Sequence, residues 1–171
     1  VTKDPSQNIP LSRVEQAYQI EDQPEFENVD VYWEGMQSEA VFALPEQLDA
    51  VFTAGGYHIL KGKSEKLNMA EENKVIFHAM KPGGVYVVID NAASLSSGFN
   101  AVDTLGRTEA DAVKAEIQAA GFVFDGESKM LSSAADDHTT AADGVTQPDM
   151  FALRFKKPAN APNAKRPSME A

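Results

Sequence analysis

The stretch Lys81-Pro-Gly-Gly-Val-Tyr-Val-Val-Ile-Asp90 decides the fold class. Pro82 and the two glycines after it predict the end of a helix and a tight turn, because proline cannot continue a helix and glycine accepts positive φ. The run over residues 84–90 is almost continuously apolar, which is typical of a parallel strand buried on both faces. Residues 66–81 have the composition of a helix. We therefore predict a helix that leads into a central strand of a parallel sheet.

The segments around this stretch extend the prediction to a whole sheet. Residues 48–56 form a second apolar run, which ends in two glycines, so it reads as a parallel strand that opens into a site loop. Two such strands joined by a helix make a right-handed βαβ unit. Further segments are predicted as strands or helices from their periodicity: strands within 28–33, 122–131 and 150–155, and helices within 9–20 and 108–120. This order predicts the α/β class.

Composition excludes several classes of function. The net charge of −11 argues against nucleic acid as a partner, because a phosphate backbone needs a basic surface. No run of about 18 apolar residues is present, so no membrane span is expected. With no cysteine in the chain, disulfides, thiolate metal sites and a cysteine nucleophile are ruled out. We expect a cytoplasmic protein, and a periplasmic one is left open.

Three segments together resemble the C-terminal part of a class I S-adenosylmethionine-dependent methyltransferase. They are Asp49-Ala-Val-Phe52, residues 75–90 with their Lys-Pro-Gly-Gly turn, and Ala120-Gly-Phe122. Tyr57-His58 and Arg107 look similar to a bacterial group of predicted methyltransferases of unassigned substrate. The resemblance covers residues 28–158. It implies a Rossmann-like sheet of strand order 3-2-1-4-5-7-6, mostly parallel with an antiparallel terminal hairpin.

The cofactor-binding front end of that fold is missing from the sequence. The resemblance implies S-adenosylmethionine as cofactor, held by a glycine-rich turn after the first strand, yet no Gly-x-Gly precedes a helix here. We therefore predict a sheet that lacks the first two strands, and S-adenosylmethionine binding weaker than micromolar. The predicted organisation is a linker and helix in residues 1–27, a methyltransferase-like part in 28–158 and a disordered tail in 159–171.

The missing strands would leave the strand in residues 48–54 as an apolar edge, which folded proteins rarely expose. Because the chain also begins at Val1 rather than Met, we expect a fragment of a longer protein. The alternative is that a second chain or a second copy fills the gap.

Candidate site residues follow the carboxyl ends of the predicted strands, where open α/β sheets bind ligands. We predict two catalytic residues, His58 as a general base and Tyr57. The predicted substrate contacts are Asp90, Asn91 and Arg107. The predicted cofactor contacts are Trp33, Glu34, Gly35, Thr53 and Gly55. Structural roles stay open for all of them, with Tyr57 packing in the core and Arg107 holding a loop.

Two other motifs receive structural interpretations. Asp136, Asp137 and His138 include metal-ligand types, but adjacent residues rarely converge on one ion, so no metal site is predicted. Thr108-Glu-Ala-Asp111 resembles a capping box at the start of a helix.

These features predict a methyltransferase that acts on a small molecule. The alternative is a non-catalytic binding or interaction module, and a weaker one is a hydrolase or lyase with His58 as base. The methyl acceptor stays open, because a sulfonium methyl group is already a strong electrophile and asks little of the protein.

Overall fold

A computed structural model of the chain describes residues 23–29, 47–63 and 67–161. The chain divides into two compact units, residues 1–41 and 42–171. In the first unit the described residues are exposed and contain one turn of 3-10 helix at Pro24–Phe26. Asn28 lies in a turn, and Val29 follows it directly. The rest of the strand predicted within 28–33 lies outside the described residues. The helix predicted within 9–20 and the tail beyond residue 161 also lie outside them, and the predicted domain bounds stay a prediction.

The described residues of the second unit form a four-stranded mixed sheet and four short α-helices, with one further turn of 3-10 helix at Ala142–Gly144. The strands are β1 (Leu48–Ala54), β2 (Met80–Asn91), β3 (Val123–Ser128) and β4 (Met150–Lys156). The helices are α1 (Tyr57–Lys61), α2 (Met69–Ala79), α3 (Val102–Leu105) and α4 (Ala110–Ala119). No helix in the described part of the chain is long and apolar enough to cross a membrane.

The order of the strands is β1-β2-β4-β3. β1 runs parallel to β2, whereas β4 pairs antiparallel with both β2 and β3. The α/β class and the antiparallel terminal hairpin are thereby confirmed, and the described part of the sheet is mixed. β2 is an inner strand and makes the parallel contact to β1, so the ends of these two strands lie side by side.

The turn before β2 differs from its prediction. The helix ends at Ala79 rather than Lys81, and the strand starts at once at Met80. Residues 82–84 lie within β2, where its pairing with β1 is irregular. Leu48 pairs with Met80, whereas Ala50, two residues later, pairs with Val85. A Cβ on Gly84 would lie 2.9 Å from the Lys81 carbonyl oxygen and 3.1 Å from that of Asp49. Glycine is therefore required here for close approach of two backbones.

The core lies on one face of the sheet. Tyr86 and Val88 of β2 and Phe155 of β4 alternate onto this face and are fully buried, as are Val113 and Ile117, one turn apart on α4. The apolar side of α4 and the apolar face of the strands thus contribute to the same core.

The opposite face of the sheet, at β1, is apolar and open. Phe52 is 63% exposed and pairs in register with half-buried Val87. Ala50 is also exposed beside half-buried Val85. Within the described residues β1 has a strand neighbour on one side only. We call Ala50, Phe52, Val85 and Val87 the open face.

A buried lysine follows β4. The side chain of Lys157 is fully buried, and its Nζ donates to the carbonyl of Met80 at 2.8 Å. The same Nζ lies 4.8 Å from the centroid of the Phe77 ring, and no carboxylate of the described residues pairs with it. Burial lowers the pKa of Lys157 below its ordinary value, because the charged form loses hydration.

Lys157→Met should therefore change how stability depends on pH. The unfolded chain binds a proton at residue 157 up to its ordinary pKa of 10.5, whereas the folded chain releases it earlier. The free energy of unfolding of the wild type therefore gains a contribution that grows as pH rises towards that value. Urea unfolding between pH 7 and pH 10 should show Lys157→Met relatively most stable at neutral pH, with the difference falling as pH rises. The control is Lys156→Met, half exposed and paired with Asp125. A difference for Lys157→Met that is independent of pH would contradict the account.

Candidate functional site

The site lies at the carboxyl ends of β1 and β2. The two strands are parallel, and Ala54 and Ile89 are register partners near their ends. The amide of Gly55, at φ +62°, donates to the Ile89 carbonyl at 2.9 Å, which fixes the exit from β1. α1 then begins at Tyr57, two residues later. His58 is thereby brought next to Asp90, the penultimate residue of β2.

Two hydrogen bonds join His58 to Asp90, and a third reaches Asp90 from Thr108. His58 Nδ1 lies 2.6 Å from Asp90 Oδ1, and the His58 backbone N–H donates to Asp90 Oδ2 at 2.8 Å. The Thr108 hydroxyl donates to the same Oδ2 at 3.1 Å. Asp90 is fully buried and the His58 side chain is 17% exposed. Because Nδ1 faces a carboxylate it carries a proton, which leaves Nε2 as the nitrogen able to accept one.

Gly106 leaves space beside this nitrogen. It ends α3 in the left-handed region, at φ +62°, where glycine is favoured. A Cβ at this position would lie 3.6 Å from His58 Cδ2 and 3.7 Å from Nε2. The side-chain amide of Asn91 donates through Nδ2 to the Gly106 carbonyl at 3.0 Å, so Asn91 holds this loop in place. The geometry thus favours a loop-holding role for Asn91 over the predicted substrate contact.

Tyr57 points into the core. It is fully buried, its hydroxyl donates to Glu116 Oε2 at 2.6 Å, and it accepts from the Asn73 amide at 2.9 Å. Burial, and then the neighbouring Glu116, raises the pKa of Tyr57 well above its usual range. A phenol that is buried, bonded and hard to ionise fits the structural alternative for Tyr57 and not the catalytic role.

Arg107 is likewise buried, with its guanidinium fully engaged. Nε donates to the Thr140 carbonyl at 3.0 Å, and Nη1 donates to the Ala92 carbonyl at 2.9 Å. The two terminal nitrogens meet both oxygens of Asp136, at 2.9 Å and 3.1 Å. The Arg107 and Asp136 side chains are 0% and 1% exposed. Arg107 therefore holds the loop, and no face of it is left to grip a substrate as predicted.

Asp136 organises residues 129–149, which connect β3 to β4 and which we call the strap. Its carboxylate accepts the N–H of His138 at 3.0 Å and that of Asp149 at 2.7 Å. Burial opposes ionisation, but these N–H groups and then Arg107 outweigh it and lower the pKa of Asp136 to about 2. His138, at φ +62°, reaches Asp149 Oδ2 through Nε2 at 2.9 Å. In the described ranges no three acidic or histidine side chains are grouped to hold a metal ion.

Gly106 is a site residue that the sequence pattern does not predict, and Thr108 has a role that differs from its prediction. The predicted capping box is wrong, because α4 begins at Ala110 with Glu109 as the N-cap and without a side-chain cap bond. The Thr108 hydroxyl turns to Asp90 instead. Gly106 follows a four-residue helix, α3, whose short length gave no periodicity to flag its glycine cap.

Two of the five predicted cofactor contacts, Thr53 and Gly55, lie within the described residues. Trp33, Glu34 and Gly35 lie outside the described residues. Gly55 faces open space, since a Cβ there would meet nothing within 4 Å. Thr53 Oγ1 lies 3.5 Å from the Tyr86 hydroxyl. The described residues thus leave room for a ligand near Gly55. Asp90, predicted to contact the substrate, instead accepts hydrogen bonds from His58 and Thr108.

Comparisons with solved structures identify the fold. The N-methyltransferase NodS from Bradyrhizobium japonicum WM9 matches with a TM-score of 0.50 at 12% identity, over 78% of this chain and 64% of that one. A possible exported protein from Bordetella parapertussis matches with a TM-score of 0.52 at 13% identity, over 88% of this chain and 51% of that one. No family model matches the chain, and no curated protein matches it in sequence.

The chain has a class I methyltransferase-like fold. β1, β2, β4 and β3 stand in the order of the fourth, fifth, seventh and sixth strands of the resembled sheet. No described strand stands in the place of the first or second. The chain spans less than two thirds of the length of the two solved structures named here.

The network around Asp136 should make the strap sensitive to acid. The pKa of Asp136 falls from 3.8 to about 2 on folding, so its ionised form stabilises the fold above about pH 4. This stabilisation, on the order of 2 kcal/mol, is lost as pH falls towards 2. Urea unfolding between pH 2.5 and pH 6 should show Asp136→Asn far less stable than the wild type at pH 6, with the difference shrinking in acid. The control is Asp143→Asn, which changes an exposed carboxylate of the same strap and should differ little from the wild type at any pH. A loss for Asp136→Asn that does not depend on pH would contradict this.

Proposed function

We propose that the chain works in an S-adenosylmethionine-dependent methyltransferase that acts on a small molecule, with His58 as the general base. One observation carries the proposal: a histidine held by a buried carboxylate stands at the carboxyl edge of a methyltransferase-like sheet. Ligands of open α/β sheets bind at this edge. The methyltransferase-like fold supports the reaction class, and His58 is the group that a proton-bearing acceptor would need.

The chemistry of the chain's own residues is proton transfer. S-adenosylmethionine, when bound, supplies a methyl group on an electrophilic sulfonium. His58 Nε2 would take the proton of the acceptor's hydroxyl or amine, and Asp90 would stabilise the imidazolium that forms. The backbone bond from His58 N–H to Asp90 fixes the ring relative to β2, and Gly106 keeps the space beside Nε2 clear for the acceptor. Acceptors without a removable proton gain nothing from this arrangement.

Only some of the residues that the cofactor requires are described. Gly55 offers open space at the end of β1, as expected for a place where a ligand comes close to the backbone. We propose that other residues complete the nucleoside site, on a further portion of the polypeptide or on a second chain. The lack of a Gly-x-Gly turn in the sequence supports this proposal.

A non-catalytic interaction module is the second candidate, and the open face favours it. Phe52 exposes 63% of its surface on a strand that has one described neighbour. An apolar strand with an open face and edge attracts another polypeptide. We propose an N-terminal portion, a second chain or a second copy as the protein partner. The net charge of −11 disfavours nucleic acid and anionic membrane surfaces.

Methyl transfer should depend on His58. The protein at tens of micromolar, with millimolar radiolabelled S-adenosylmethionine, is incubated with panels of phenols, carboxylic acids and amines at pH 7.5. His58→Gln should lower the rate of transfer about 10²- to 10⁴-fold, the range of a general base. The control is His78→Gln, an exposed histidine on α2, which should transfer at the wild-type rate. Equal rates for both variants would remove His58 from the mechanism.

The open face should drive association. Equilibrium sedimentation at tens of micromolar should give a mass above the 18.5 kDa of one chain, because burying Phe52 removes apolar surface from water. Phe52→Lys should shift the mass towards that of the monomer. Leu95→Lys places the same charge at an 85% exposed leucine outside the sheet and should leave association unchanged. A compact wild-type monomer that unfolds cooperatively would refute the proposal of a protein partner.

A further inference from the structure

The short segment from Gly106 to Thr108 lies between the His58–Asp90 pair and the strap. Thr108 donates its hydroxyl to Asp90, and Arg107, the residue before it, pairs with Asp136 of the strap. Consecutive residues of an extended segment point to opposite sides. One dipeptide therefore contacts both Asp90, the partner of the candidate base, and the strap.

This segment is fastened alongside the end of β2. The Thr108 amide donates to the Asn91 carbonyl at 3.0 Å, and the Ala93 amide donates to the Thr108 carbonyl at 2.9 Å. The Asn91 side chain holds the Gly106 carbonyl at 3.0 Å. Arg107 adds a bond from its own side chain to the Ala92 carbonyl at 2.9 Å. The Thr108 hydroxyl is thus placed by backbone bonds to the end of β2 and, through the adjoining Arg107, by the contacts of that side chain.

The strap holds Arg107 from the other side. Asp136 takes two of its nitrogens, and the Thr140 carbonyl takes Nε. Asp136 is in turn fixed by two backbone N–H groups of the strap, those of His138 and Asp149. A buried ion pair with these additional bonds is rigid, and it is costly to break on one side.

We propose that Arg107 and Asp136 are positioning residues for the His58–Asp90 pair and act on it through the Thr108 hydroxyl. Asp90 Oδ2 accepts two bonds, from the His58 backbone and from Thr108. With the Thr108 bond lost, His58 alone holds the carboxylate, which is then freer to rotate about its last torsion and to leave Nδ1. The ring of His58 then loses the preference that keeps its proton on Nδ1.

The relevance of this arrangement to catalysis rests on the proposed function, but the arrangement itself is measurable without any reaction. The chain contains three histidines, so ¹⁵N chemical shifts of the imidazole nitrogens can be assigned from His58→Gln and His78→Gln. At pH 8.5 histidines are ordinarily neutral, and the shifts then report the fraction of each tautomer. Wild-type His58 should be almost wholly protonated on Nδ1.

Two variants test the connection. Thr108→Val removes the hydroxyl at nearly constant shape, and Asp136→Asn acts from the strap without touching Asp90. Both should give a mixture of the two tautomers of His58. Thr108→Ser, which keeps the hydroxyl, should restore the wild-type fraction. Asp137→Asn removes the same charge one residue away, at an exposed side chain bonded only to Thr139, and should change nothing.

The design remains decisive if Asp136→Asn fails to fold. The double variant Arg107→Met with Asp136→Leu removes both charges and leaves neither one buried alone. Thermal unfolding identifies which variant is folded, and the tautomer is read in that one. A folded variant without the ion pair, but with His58 still almost wholly protonated on Nδ1, would overturn the proposal.

Methyl transfer provides a separate readout. Asp136→Asn and Thr108→Val should lower kcat with KM nearly unchanged, because the acceptor does not touch either residue. A tautomer mixture without any effect on transfer would leave the positioning role standing and count against His58 as base. If His58 keeps its tautomer in Thr108→Val and Asp136→Asn while His58→Gln lowers transfer, the positioning role is refuted and His58 stands as the base.

Discussion

The hydrogen bonding of the buried Asp90 carboxylate is the interaction on which the rest of the site depends. Burial of an ion costs several kcal/mol unless hydrogen bonds replace its water. Here three donors do so, from the ring and backbone of His58 and from Thr108. These donors belong to α1 and to the loop before α4, so a single charge ties two connections to the end of β2. It adds side-chain bonds to the backbone bonds that already place the start of α1 and the 106–108 segment.

A second buried charge completes the edge of the sheet. Arg107 and Asp136 are both almost wholly buried, and their bonds join β2 to the strap. The buried carboxylates of Asp90 and Asp136 are contacted from adjacent residues, because Thr108 donates to Asp90 and Arg107 pairs with Asp136. Space remains at this edge near Gly55 and on the Nε2 side of His58, where Gly106 has no side chain.

The sequence was a good guide to the elements and a poor one to the roles of polar residues. Apolar continuity and the terminal alternation located β1, β2 and β4 to within a few residues, because burial dictates those patterns. Single residues such as Thr108 and Arg107 carry no such pattern. Their partners lie 18 and 29 positions away in sequence, and only the folded chain brings them together. The start of β2 was misplaced because Lys81-Pro-Gly-Gly suits a helix end and a strand irregularity equally well.

The proton between His58 Nδ1 and Asp90 tests the account most directly. A proton shared over 2.6 Å between an imidazole and a buried carboxylate is shielded weakly and exchanges slowly. A far-downfield proton resonance should therefore be visible in the wild type and in His78→Gln, and it should vanish in both Asp90→Asn and His58→Gln. A resonance that survives Asp90→Asn, or a wild-type protein without one at low temperature, would contradict the claim that Asp90 holds His58.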